Sequence, residues 1–182
     1  MQIFRKGSKS LVTGLIFVAS SFACHAADSV SLELDGGERV QMARVGLQWD
    51  WNKHWFSSNG THIGGYWDLT LGQLRGMKYR NDPNATQDIT LIGITPVFRF
   101  QRDSKTGPYA EAGIGINLMS KLYDNDDNRL STAFQFGDHV GVGYVFANKL
   151  DVGLKLQHYS NGGIKEPNSG INFIGLRASY PY

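Results

Sequence analysis

Leu150–Tyr182 reads LDVGLKLQHYSNGGIKEPNSGINFIGLRASYPY, and its alternation decides the fold. Successive side chains of a strand point to opposite faces. Leu150, Val152, Leu154 and Leu156 therefore share one face of a first strand, with Asp151, Gly153, Lys155 and Gln157 on the other. A second strand sets Ile174, Leu176, Ala178, Tyr180 and Tyr182 on one face, with Asn172 in the same register. The residues between them, rich in Asn, Gly and Pro, form a loop. Continued upward, the alternation carries His158 and Ser160 onto the apolar face. Polar groups there are costly unless they are paired or needed. His158, Ser160 and Asn172 are therefore the candidate site.

The same alternation recurs upstream. Val45, Leu47, Trp49 and Trp51 oppose Arg44, Gln48 and Asp50; Ile63, Trp67, Leu69 and Leu71 oppose Tyr66, Asp68 and Thr70. Ile92, Ile94, Phe98 and Phe100 oppose Gly93, Thr95 and Arg99, and Ala110 to Leu118 opposes Glu111 and Asn117. Phe134, Phe136, Val140, Val142 and Tyr144 oppose Gln135, His139, Gly141 and Gly143. With Val30 to Leu34, the chain reads as about eight strands. A soluble sandwich buries its apolar face and wets its polar one. Here charges mix with glycines on the polar face, and leucines and aromatics fill the other. The expectation is all-β: an eight-stranded antiparallel outer-membrane β-barrel, with lipid outside and a small polar interior of Arg44, Asp50, Asp68, Arg99, Glu111, Lys155 and Arg177. Trp and Tyr near strand ends, among them Trp49, Trp51, Trp55, Trp67, Tyr144, Tyr180 and Tyr182, fit interfacial girdles. The rival is a soluble barrel around a ligand cavity, which has to explain the outward apolar faces.

Arg5, Lys6 and Lys9 precede the apolar run LVTGLIFVASSF, and small residues follow at Cys24-His25-Ala26-Ala27. Residues 1–26 read as a signal peptide, with cleavage after Ala26 or Ala27, and residues 27–182 as one barrel domain. Lipidation at Cys24 is the alternative, but Ser21 stands where an aliphatic residue is wanted. Cleavage removes the single cysteine, leaving neither disulfide nor thiol nucleophile. A formal net charge of +2 gives no reason to expect a nucleic-acid partner. Phe146 to Leu150 is a tight turn, whereas Arg75 to Asp88, Lys121 to Leu130 and Asn161 to Gly170 are long and polar. Bacterial barrels keep short turns periplasmic and long loops outside. His158 and Ser160 then lie on the lipid-facing surface at the level of the outer leaflet. A lipid of that leaflet, lipopolysaccharide first, is the expected substrate.

A serine needs an adjacent base to act as a nucleophile. His158 lies two residues away on the same face. The base needs a third group to fix its tautomer, and a hairpin centred near Lys165 brings Asn172 across from His158. Backbone N–H groups of Asn161-Gly162-Gly163 offer an oxyanion hole. By itself His-x-Ser is short and common, and Asn-Gly is an ordinary turn dipeptide. His139 points inward, and His54 and His62 flank a turn with no partner on their face. The sequence shows no metal-ligand cluster, so neither metal nor other cofactor is expected. Asp124 to Asn128 is a loose acidic loop without the spacing of a calcium hand.

The stretch His158-Tyr159-Ser160-Asn161-Gly162-Gly163-Ile164-Lys165-Glu166-Pro167-Asn168-Ser169-Gly170-Ile171 resembles the PagL-type lipid A 3-O-deacylases. The resemblance extends through Gly46-Leu47-Gln48-Trp49-Asp50-Trp51, Gly65-Tyr66-Trp67-Asp68, Thr95-Pro96-Val97-Phe98 and Glu111-Ala112-Gly113-Ile114-Gly115. It implies an eight-stranded outer-membrane barrel that hydrolyses the ester-linked acyl chain at position 3 of lipid A. It implies His158 as general base, Ser160 as nucleophile, and Asn161 with Gly163 as oxyanion hole. It implies no cofactor and allows a homodimer. The best-known family pattern has an acidic residue where this chain has Asn172. That departure leaves two candidates for the third role, Asn172 by strand register and Glu166 from the loop. Two other functions stay open: a structural or adhesive barrel, for which Ser160 and His158 are dispensable, and an acyltransferase, which yields a newly acylated lipid instead of free fatty acid.

Overall fold

The computed structural model describes residues 26–182. The expected signal peptide therefore lies, except for Ala26, outside the described residues. The strands are β1 (Ser29–Gly37), β2 (Val40–Asp50), β3 (Trp55–Ser58), β4 (Thr61–Met77), β5 (Thr86–Arg102), β6 (Gly107–Met119), β7 (Asp124–Asn125), β8 (Asn128–Arg129), β9 (Phe134–Val145), β10 (Asp151–Ser160) and β11 (Ile171–Pro181). β3 is a short flap on β4, and β7–β8 is a small hairpin inside a loop. The other eight pair antiparallel, each with its neighbour in sequence, and β1 pairs with β11 to close the barrel. Closure leaves no strand edge unpaired, which a lipid environment demands because nothing there hydrogen-bonds a free amide.

The two faces separate as the alternation requires. Leu32, Val45, Ile92, Phe98, Ile114, Val142, Leu154 and Leu176 all point outward and are at least half exposed. Such a belt, running round the whole barrel, is far larger than the apolar patches of a soluble monomer. It belongs to a protein whose solvent is lipid, and it removes the soluble-barrel alternative.

The end that carries Ser29, Pro181 and the short turns is called here the terminal end, and the opposite one the loop end. Towards the terminal end the interior is a charge network. Arg177 reaches Glu111 at 3.2 Å and the Tyr109 hydroxyl at 3.0 Å, and Arg99 reaches Glu111 at 2.7 Å and Asp151 at 2.8 Å. Lys155 pairs with Glu33 at 3.0 Å, and Arg44 pairs with Glu33 and donates to the Tyr159 hydroxyl at 2.8 Å. These buried charges are tolerated because each meets its opposite. Asp50 is a correction: it sits at the rim, where Lys105 holds it at 2.5 Å, because β2 ends there and its side chain stays partly in solvent.

Three further expectations change. The interior is not polar throughout: at the loop end Val40, Met42, Leu74, Ile89, Leu91, Met119, Tyr123, Leu130, Tyr159, Ile171 and Phe173 form an enclosed apolar core. β4 and β5 run to Met77 and from Thr86, well into the expected Arg75–Asp88 loop. Apart from Met77 their outward residues there are polar, including the Arg75–Asp88 ion pair at 2.8 Å, so the ladder continues beyond the apolar belt into water. The Trp and Tyr girdle lies at the terminal end only, where Trp51 packs against Phe98, Trp55 and Trp67 at 5.0, 5.7 and 5.9 Å between ring centroids. Among the described residues no strand Trp or Tyr faces outward at the loop end.

Candidate active site

The site sits where β10 enters the 161–170 loop. The inward side chains of β10 and β11 here are Tyr159, Ile171 and Phe173, all buried in the apolar core. Tyr159 and Phe173 meet edge-on at 6.0 Å. With these residues fixed inside, the alternation leaves His158, Ser160 and Asn172 no choice but the outer face.

His158 and Asn172 are direct cross-strand partners, as the hairpin register requires. His158 Nδ1 lies 2.7 Å from Asn172 Oδ1. A carbonyl oxygen only accepts, so this bond puts a proton on Nδ1, and in the neutral ring it leaves the lone pair on Nε2. Ser160 is on the same face, about 6.6 Å further along the strand, and its hydroxyl makes no hydrogen bond among the described residues. An unliganded nucleophile and base often stand apart and close only around substrate. Of the two candidates for the third group, the structure places Asn172 on the imidazole. Glu166 instead accepts the Asn168 N–H at 2.9 Å within the loop.

The loop is built from side-chain bonds to its own backbone. Asn161 is fully buried; its Nδ2 donates to the Lys165 carbonyl at 2.7 Å, and its Oδ1 accepts the Gly163 N–H at 3.0 Å. The Asn161 N–H donates to Asn168 Oδ1 at 2.9 Å. Both expected oxyanion donors are thus engaged inside the loop, and of the three turn amides that of Gly162 is left open. Gly162, Gly163 and Gly170 all have positive φ, where a side chain is strained. At Gly170 space is decisive as well, because a Cβ there would lie 2.6 Å from His158 Cε1.

Neighbouring loops brace this one. Ser131 donates to the Lys165 carbonyl at 2.6 Å and Asn128 to the Gly170 carbonyl at 2.7 Å. The 120–133 loop is itself held by Asp126, which pairs with Lys78 at 2.9 Å and Arg39 at 3.0 Å. Tyr123 in this loop caps the apolar core, and burial pushes its phenol up to about 12, so it stays neutral there. From His158 and Asn172 a surface groove of about 1020 Å³ runs down the outside of the barrel across β9 and β6 to Pro96 and Phe98 of β5. Leu156, Ile174, Val140, Ala112 and Ile114 make its walls apolar.

Two features escaped the sequence reading. Asp138 occupies the outward slot between Phe136 and Val140 on β9, directly beside His158. The alternation alone would have found it. His54 and His62 do have a partner: Asp103, from the turn between β5 and β6, lies 2.8 Å from His62 Nδ1 and 4.0 Å from His54 Nδ1. The ligand atoms of the three lie within 4.8 Å of one another, a grouping the sequence did not suggest. The two imidazoles, however, are stacked at 3.8 Å with 13° between their planes. A ring nitrogen binds a metal in the ring plane, so near-parallel rings do not aim at a common ion. The group is a stacked, hydrogen-bonded contact at the terminal rim.

A family profile described as Lipid A 3-O-deacylase (PagL) matches residues 41–181. The chain belongs to that family. It is 34% identical over 166 residues to lipid A deacylase PagL of Pseudomonas aeruginosa, covering 91% of each chain. It is 30% identical over 187 residues to lipid A deacylase PagL of Bordetella bronchiseptica, covering both chains in full. Its barrel superposes on the crystal structure of the outer membrane enzyme PagL with a TM-score of 0.76 at 31% identity, over 85% of this chain and 99% of that one. The resemblance and the eight-stranded fold expected from the sequence both hold.

Proposed function

We propose that this barrel is an outer-membrane esterase that removes the acyl chain at position 3 of lipid A through a serine–histidine relay. The 2.7 Å bond from His158 to Asn172, with Ser160 on the same lipid-facing surface, is the observation that carries this reading. Ser160 Oγ attacks the acyl carbonyl and His158 Nε2 takes its proton. The tetrahedral oxyanion is received by amides of the Asn161-Gly162-Gly163 turn. Gly162 N–H is open already; the Asn161 and Gly163 N–H groups join it once substrate oxygen displaces the side-chain acceptors that hold them. His158 then returns the proton to the sugar oxygen, freeing the hydroxyl at position 3. Water, deprotonated by His158, cleaves the acyl-serine, giving a free fatty acid and the original serine.

The groove gives the departing chain an apolar bed continuous with the bilayer, so substrate reaches Ser160 without leaving the membrane. The relatives carry the name lipid A deacylase, which matches this chemistry. In the proposed orientation the loop end faces outward and the site lies at the outer leaflet, where lipopolysaccharide resides. Mass spectrometry of lipid A from cells expressing wild type, Ser160→Ala and His158→Ala tests the reading. Loss of one ester-linked acyl chain with wild type and with neither variant supports it. Unchanged lipid A in the presence of folded wild type defeats it, and a newly acylated lipid marks a transferase. Crosslinking in the same cells tests for the homodimer that the resemblance allows.

A further inference from the structure

His158 has two cross-strand neighbours on the outer face. Asn172 is its partner on β11 and Asp138 its partner on β9. Directly opposed residues of an antiparallel pair stand about 5 Å apart at Cβ, so the imidazole is flanked by an amide on one side and a carboxylate on the other. Asp138 and Asn172 line the same groove. Along its own strand Asp138 lies between outward Phe136 and Val140. Its carboxylate has no hydrogen bond or ion pair among the described residues; Gln157 Nε2 donates to its backbone carbonyl at 2.9 Å. A lone acidic side chain in a lipid-facing row is costly and calls for a function.

The relay supplies one. When His158 takes the serine proton it becomes a cation in a region of low dielectric. Asn172 fixes the ring but carries no charge. Glu166 is turned into its own loop by the bond to Asn168. Gly170 backs the ring on the loop side and brings no charge either. Asp138 is the acidic residue that the strand register sets directly beside His158. We propose that Asp138 is a positioning residue that stabilises protonated His158, so that orientation and charge, joined in one acid in the usual triad, are divided between Asn172 and Asp138. This rests on the esterase reading above.

The test is steady-state release of fatty acid from lipid A in mixed micelles by full-length barrels refolded from inclusion bodies. Heat-modifiable mobility on gels reports folding. Asp138→Asn is expected to lower kcat on the order of 10- to 100-fold with KM unchanged. Asp138→Glu is expected to keep most of the activity. The deciding variant adds Asn172→Asp to Asp138→Asn, which moves the charge to the other side of the same imidazole. Recovery of kcat by about tenfold or more over the single variant supports the role, since a merely structural aspartate is not replaced from another strand. Wild-type kcat in folded Asp138→Asn overturns it, as does a loss confined to KM or the absence of rescue. If wild type is active and Ser160→Ala is not, these outcomes judge Asp138 alone. If folded wild type releases no acid, the esterase reading falls and this role falls with it.

Discussion

The barrel holds two interiors. Towards the terminal end, Arg177, Arg99, Glu111, Asp151, Lys155 and Glu33 fill it with paired charges; towards the loop end, Leu74, Ile89, Leu91, Tyr159 and Phe173 fill it with apolar side chains. The charged half suits a cylinder that must not change shape, because these groups come from five strands and each finds its partner on another strand. The apolar half suits strand ends that must present His158, Ser160 and Asn172 outward at fixed angles. Close packing tolerates little displacement. The halves are joined by the Arg44 bond to the Tyr159 hydroxyl at 2.8 Å, and Tyr159 stands between His158 and Ser160 in β10. Stability and activity should therefore separate along the barrel axis.

The strongest separation is at the site itself. Ser160→Ala should cut deacylation by more than about 10³-fold while leaving the thermal unfolding of the barrel unchanged. A drop in unfolding temperature of many degrees would mean that Ser160 also holds the loop. Next in size is Arg177→Leu, in the charged half. Removing one partner of a buried network leaves two carboxylates, Glu111 and Asp151, to the single cation Arg99, at a cost of about 3–5 kcal/mol. Urea titration in lipid vesicles should show that loss, whereas kcat per folded molecule should hold. A fall in kcat would show that the two halves are coupled more tightly than the single Arg44–Tyr159 bond suggests.

Gly170→Ala comes third. Its Cβ would lie 2.6 Å from His158 Cε1, so the ring must move away from Asn172. Misplacing a catalytic group by about 1 Å costs on the order of 10²-fold in rate. Kinetics of the folded variant should show that loss in kcat. A variant with full activity would mean that the ring is free to choose another rotamer.

How much of this was legible depended on contrast between neighbours in sequence. Asp151, Gly153, Lys155 and Gln157 alternate with Val152, Leu154 and Leu156, so the charged half, the barrel and the outward placement of His158, Ser160 and Asn172 could be read directly. At the loop end the polarity reverses, with apolar Ile89 and Leu91 inside and polar Asp88 and Thr90 outside. Further along the same strand Ile92 and Ile94 point out, so the polar-in pattern that marks the inside elsewhere misreads Ile89 and Leu91. Asp138 was hidden for the opposite reason, a single acid that reads as a break in an otherwise apolar row. The Asn161 bonds to Gly163 and Lys165 have no period at all, so only coordinates show that the loop occupies its own amides. The grouping of His54, His62 and Asp103 draws on separate connections that meet only in the folded chain.

The smallest expected effect is the most discriminating one. Phe173 lies in the apolar half, follows Asn172 in β11 and packs edge-on against Tyr159. Phe173→Leu keeps the site apolar and removes part of its volume, so the loss of stability should be only about 1 kcal/mol. That is well below the loss expected for Arg177→Leu. Yet Phe173 stands under the His158–Asn172 pair, and the space left by the ring lets both strand ends settle inward. Activity should therefore fall further than stability, the reverse of the pattern expected for Arg177→Leu. Urea titration and kinetics on the same two variants decide the matter. If Phe173→Leu loses stability but not kcat, the apolar half is simply filling, and the loop alone holds the site in place.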